Sequence, residues 1–204
     1  MYITKHTNIT DRVVLEQLWR LYTAAYAKIA TQDITREVLF RTEFDAVMAD
    51  PTYRTTIVRT DDDEPVAMSV IATDIGATRY LSRPYFERRY PTRFSEGRVH
   101  YVMWAVVDPD HQGSRTVFDL IRAGLQAEAE EGTLLVFDLP ESNQPNETGG
   151  GAELIYRAAR SFAEVELESF GMSRYYALDF APNETDVVTD DAVEAEASAL
   201  RTTR

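Results

Sequence analysis

The chain has no cysteine among its 204 residues. Disulfides, thiolate zinc sites and a cysteine nucleophile are thereby excluded. It is almost as poor in lysine: of 21 basic residues only Lys5 and Lys28 are lysines, a bias that reads as base composition of the gene and not as chemistry. Basic charge is scarce against 34 acidic residues, leaving a net charge of -13. Neutralising a phosphate backbone needs a basic surface, so general nucleic-acid binding is not expected. Long apolar runs are missing too, and "MYITKHTNIT" lacks the basic and apolar regions of a signal peptide, so the expectation is a cytoplasmic protein with no membrane segment. The three histidines His6, His100 and His111 are scattered, and no metal site is expected. Neither Gly-x-Ser-x-Gly nor Gly-x-Gly-x-x-Gly occurs, which removes the serine-hydrolase and Rossmann readings.

What is present suits one globular domain, 1–180, at 44% hydrophobic content. Residues 181–204 carry Glu184, Asp186, Asp190, Asp191, Glu194 and Glu196 with no aromatic residue, and read as an acidic, disordered tail. "YITKH" forms a first strand. A helix follows with Val14, Leu18, Leu21, Ala25 and Ile29 at helical spacing and Asp11 placed to cap it. "ITREVLFRTEFDAVMAD" repeats the pattern through Val38, Phe40, Phe44 and Val47 as a second helix. "YRTTIVRT" and "VAMSVIATDI" flank a "DDDEP" turn as a β-hairpin. Residues 76–97 have weak periodicity and two prolines and read as an inserted loop. "RVHYVMWAVV" is a strand, Ser114 to Glu131 a helix, and "TLLVFDL" a strand whose continuous apolar character suits the middle of a sheet. "PESNQPNETGGG" is a polar loop, "AELIYRAARSFA" a helix, and "VELESFG" and "SRYYALDF" a closing strand pair.

Six arginines, Arg79, Arg83, Arg88, Arg89, Arg93 and Arg98, fall within twenty residues and interleave with Tyr80, Tyr85, Phe86, Tyr90 and Phe94. They suit a surface loop paired with the chain's own carboxylates, or a recognition segment for an anionic ligand or acidic partner, with Arg83, Tyr85, Arg88 and Arg89 as its candidate contacts.

The most informative stretch is "VVDPDHQGSRTVFDL", a strand ending in Asp-Pro, a polar turn and a helix start. This order of elements, with Val107-Asp108-Pro109 followed by Gln112-Gly113, resembles the GNAT superfamily of N-acyltransferases. That family's motif continues with two small residues where this chain has Arg115 and Val117. The resemblance implies a mixed α+β fold: a mostly antiparallel central sheet with a splayed parallel strand pair, flanked by about four helices. It implies an acyl donor, acetyl-CoA or another acyl-CoA, and an amine acceptor that attacks the thioester directly in a ternary complex. Backbone groups of Val106 and Val107 would align the pantetheine arm, while Gln112, Gly113, Ser114, Arg115, Thr116 and Val117 would hold the pyrophosphate. A helix N-terminus offers unpaired N–H groups for that purpose, and Arg115 stands as the substitute for a missing glycine. Otherwise Ser114 only caps a structural helix. His100 falls near the family's general base, and Tyr156, in Ala152-x-x-x-Tyr156, matches the tyrosine that protonates the departing thiolate. The same fold with an acyl carrier protein as donor, and a non-catalytic binding domain, are the alternatives, and a homodimer is compatible with either.

Overall fold

The computed structural model describes residues 1–32, 38–112, 115–139 and 150–171. Strands β1 (Tyr2–His6), β2 (Tyr53–Arg59), β3 (Pro65–Ala72), β4 (Val99–Val107) and β5 (Leu134–Val136) form one sheet in the order β1-β2-β3-β4-β5. The first three pairings are antiparallel and β4–β5 is parallel. Helices α1 (Arg12–Gln32), α2 (Arg41–Ala49), α3 (Arg83–Arg89), α4 (Pro91–Ser95), α5 (Arg115–Glu131) and α6 (Gly151–Arg160) complete the described elements, with a short 3-10 turn at Pro109–His111.

Strand alternation sorts the core. Directly opposed residues in an antiparallel ladder share a face, so the register places Ile57, Met68 and Val106 on one side and Val58, Ala67 and Val107 on the other. The first set is buried beneath α1 and α2 with Leu18, Leu21, Phe44 and Met48, and the second joins Leu120 of α5 in a smaller cluster. The α1/α2 side is strongly aromatic: Trp104 lies 5.4 Å from Tyr22 and 5.9 Å from Phe44, and Trp19 lies 5.2 Å from Phe44. On the other side α5 sits close to β3 because position 124 has no side chain. A Cβ on Gly124 would fall 3.1 Å from Ser69 Oγ.

Asp11 caps α1 as its position suggests, its Oδ1 accepting from Val13 N at 2.8 Å and Val14 N at 3.1 Å. Asp11→Ala is expected to cost about 1 kcal/mol, read as a fall of roughly 2–4 °C in the thermal midpoint.

Several expectations need correction. Val38 to Phe40 precede the second helix, which begins at Arg41, where Glu43 reaches back to accept from Phe40 N at 2.9 Å and caps it; residues 33–37 lie outside the described residues. Phe40, expected on the apolar stripe, is exposed, and Val38 lies before the helix. The inserted loop contains α3 and α4, which raise the helix count from four to six among the described residues. Its two prolines, Pro84 and Pro91, occupy first-turn positions, where a missing N–H costs no hydrogen bond. Helices of seven and five residues are too short to show a period. In "VELESFG", Leu167 and Phe170 are exposed, and the strand expected to pair with it lies outside the described residues. "TLLVFDL" yields a strand of three half-buried residues, the last of the sheet among the described residues. "SRYYALDF" and the acidic tail lie outside the described residues, as does most of the loop after β5.

Candidate functional site

Strand β4 leads to the motif. Its pairing with β3 slips between Val70 and Ile71, so Met103 is an extra residue, a bulge that re-aims the strand halfway along. Its parallel ladder with β5 covers only Val99–Leu134, His100–Leu135 and Tyr101–Val136. From Val102 to Val107 β4 has no ladder partner on that side among the described residues. Val106 is buried and Val107 half-buried at the end of this free edge. Asp108 then turns the chain: its Oδ1 accepts from Asp110 N at 2.9 Å and lies 3.3 Å from His111 Nδ1.

Gln112 is exposed, Gly113 and Ser114 lie outside the described residues, and α5 opens at Arg115. Thr116 is buried, its hydroxyl 3.7 Å from Met1 Sδ, and Val117 is half-buried. The Arg115 side chain is 88% exposed and meets Asp119 at only 3.4 Å. The first turn therefore tucks Thr116 inward and leaves the Arg115 guanidinium exposed beside Asp119.

His100 sits on the zipped part of the parallel pair, and it is 3% exposed. Its Nδ1 lies 2.6 Å from Glu128 Oε2 and its Nε2 lies 3.2 Å from the Gly97 carbonyl. Both neighbours are acceptors, so both ring nitrogens are engaged by other elements. Glu128, near the end of α5, also accepts from Arg54 of β2 at 2.8 Å and from the Thr133 hydroxyl at 2.8 Å. Arg54 extends to Glu131 at 2.9 Å. Burial works to raise the Glu128 pKa, but the hydrogen bond and charge of His100, with Thr133 and Arg54, outweigh it and hold the carboxyl below its ordinary value.

Tyr156 is half-buried on α6, with the Arg160 guanidinium 5.6 Å from its ring. It lines an open cleft of about 470 Å3 with Glu153, Arg157 and Leu167. Helix α6 packs against α5. His100 and Tyr156 sit on different elements and share no hydrogen bond. In the arginine-rich segment, Arg83 lies 5.7 Å from the Phe94 ring and Arg89 5.7 Å from the Tyr90 ring. Tyr85 is exposed edge-on to buried Phe86, Arg88 is exposed, and Arg98 pairs with Glu96. Arg83 and Arg89 thus lie over rings of the same segment, while Phe86 joins the main core.

Two further polar groups stand out in the structure. Glu128 continues the buried α5 stripe of Leu120 and Gly124 at four-residue spacing, and an acid on such a stripe is the legible sign of a buried partner. Asp138, two residues beyond β5, accepts from the Tyr101 hydroxyl at 2.6 Å, and Tyr80 stacks on Tyr101 at 5.8 Å. Tyr101 is the last paired residue of β4 on this side, so the carboxylate stands where the two strands part. Nothing local in the sequence marks it.

No protein-family model matches the sequence, and no curated protein matches it. Solved structures do match in fold. A tetramutant of the BH1408 protein from Bacillus halodurans superposes with a TM-score of 0.53 at 13% identity, over 87% of this chain and 100% of that one. An aminoglycoside acetyltransferase from an uncultured soil metagenomic sample, in complex with sisomicin, gives 0.50 at 14% identity, over 87% and 96%. With the mixed sheet and its parallel β4–β5 pair, the fold is GNAT-like, as the motif implies. Among the described residues no helix is long and apolar enough to cross a membrane.

Proposed function

We propose that the protein is an N-acyltransferase that moves an acetyl or larger acyl group from acyl-CoA to an amine. One observation carries this reading: among the described residues β4 leaves a three-pair parallel ladder, has no further ladder partner on that side up to Val107, and leads through the Pro109 turn to α5. A strand edge with free backbone groups beside a helix N-terminus suits an amide-bearing arm that ends in a pyrophosphate.

The donor supplies a thioester carbonyl. Val106 and Val107 align its arm through their backbone, and Gln112 to Val117, with the Arg115 guanidinium, hold the phosphates. The amine nitrogen bonds to the carbonyl carbon as the carbon–sulfur bond breaks. For the amine proton, Asp138 fits better than His100, whose two ring nitrogens already face Glu128 and Gly97. Tyr156 returns a proton to the departing thiolate. An amine acceptor also agrees with a fold neighbour named as an aminoglycoside acetyltransferase.

Calorimetry with coenzyme A tests the reading. Wild type should bind, and Arg115→Ala should weaken binding about tenfold, or ~1.4 kcal/mol, the low end for so exposed a charged contact. Arg115→Gly should recover part of the loss by opening the backbone. Absence of binding in wild type would sink the proposal. A carrier-protein donor is favoured by the exposed Arg88, Arg93, Tyr80 and Tyr85; in that case Arg88→Glu with Arg89→Glu should lower turnover more than Arg115→Ala does.

A further inference from the structure

The buried charge network at His100 is larger than one histidine needs for burial. It joins four pieces of chain: β2 through Arg54, β4 through His100, the end of α5 through Glu128 and Glu131, and the approach to β5 through Thr133. The turn before β4 adds the Gly97 carbonyl, and Arg98 donates to the Gly132 carbonyl at 2.9 Å where α5 ends. All of it lies at the root of the parallel pair, just behind the point where β4 and β5 part.

Such a network is a poor way to gain stability. A buried ion pair is often no better than apolar residues of the same volume, since desolvation offsets its attraction. What it supplies is direction. Two nitrogens of a rigid ring meet two acceptors on different elements, and the carboxylate that receives one of them is also held by Arg54. Apolar contacts would let α5 slide or roll on the sheet; these fix it. Helix α5 is a lever of 17 residues, about 25 Å at 1.5 Å per residue. Its far end is the first turn at Arg115, and Gly124 against Ser69 is a close contact midway.

We propose that His100 is a positioning residue for the acyl donor: with Glu128 and Arg54 it pins the C-terminal end of α5 to the sheet and so sets the offset between the helix's first turn and the free edge of β4. The inference rests on the acyl-CoA reading. Donor affinity, and not proton transfer, is what depends on His100. The polar groups facing the ring are Glu128 from α5 and Gly97 O from the preceding turn, and Arg54 and Thr133 reach it through Glu128.

The test uses the full chain with His100→Gln, Glu128→Gln and the double variant His100→Leu with Glu128→Leu. The double variant replaces the hydrogen-bonded pair by apolar bulk and guards against simple misfolding. Coenzyme A affinity is read by calorimetry, turnover is read at saturating donor across pH, and melting is followed separately. Each variant should bind coenzyme A about tenfold more weakly. Turnover at saturation should fall no more than a few-fold, and the lower limb of the pH–rate profile should survive in His100→Gln. Loss of that limb with a fall of about a hundredfold in turnover and unchanged affinity would make His100 the base and overturn the proposal. A double-leucine protein that melts and binds like wild type would overturn it as well, leaving only packing. Failure of the underlying reading looks different: unsubstituted protein with a cooperative melt then binds no coenzyme A at all.

Discussion

Glu128→Ala is expected to destabilise the protein by about 3–5 kcal/mol, the usual consequence of removing one partner from a buried charge cluster. The carboxylate is 4% exposed and receives His100, Arg54 and the Thr133 hydroxyl. Without it the imidazole and the inner guanidinium nitrogen face an apolar void, and Thr133 loses its acceptor. Arg54 keeps Glu131, which holds the cost at the lower end of the range. Thermal melts check this, and they carry a second signature in pH. The native carboxyl binds its proton less tightly than the unfolded one, so its contribution is complete at neutral pH. It is lost as pH falls below the ordinary carboxylate value of 4.5 and through the depressed native value. Glu128→Gln should show a shallower loss of stability over that acid window than wild type. Equal slopes would mean that the charge contributes nothing beyond the shape it fills.

Asp138→Asn is expected to lower kcat/KM for the amine by about a hundredfold or more, the span of general-base catalysis, while coenzyme A affinity stays within a factor of about two. The Tyr101 hydroxyl fixes one oxygen of this carboxylate at 2.6 Å. Asparagine keeps the shape and one acceptor but cannot take a proton. The distinguishing readout is Tyr101→Phe, where the carboxylate remains but is less well oriented and kcat/KM should fall far less than in Asp138→Asn. A variant with wild-type kcat/KM would return proton removal to water or to the substrate.

Much of this architecture is legible in the residues. The α1 stripe of Leu18 and Leu21, the Asp11 cap and the hairpin around "DDDEP" appear where local pattern puts them, because each depends on neighbours a few residues away. The motif from Val107 to Gln112 likewise implies the strand, turn and helix that are found. The helices in the arginine-rich segment were hidden by their shortness. The surroundings of His100 were hidden for another reason. The resemblance suggests a base, but its partners come from positions 97 and 128, and Arg54 reaches it through Glu128. Neither period nor spacing reports that a histidine will meet two acceptors at once. Asp138 is illegible on the same ground: only the ladder's end at Tyr101 gives it meaning.

The ring cluster beneath α1 and α2 has a practical side. The chain has two tryptophans, Trp19 and Trp104, and both belong to that cluster. Intrinsic fluorescence is therefore an optical gauge of one side of the sheet alone. A denaturation curve followed by emission reports the aromatic nest and is blind to α5 on the opposite face. Agreement between that curve and far-ultraviolet circular dichroism would show the two faces coming apart as one cooperative unit. A dichroism change that precedes the emission change would mark the α5 side as an independently melting layer.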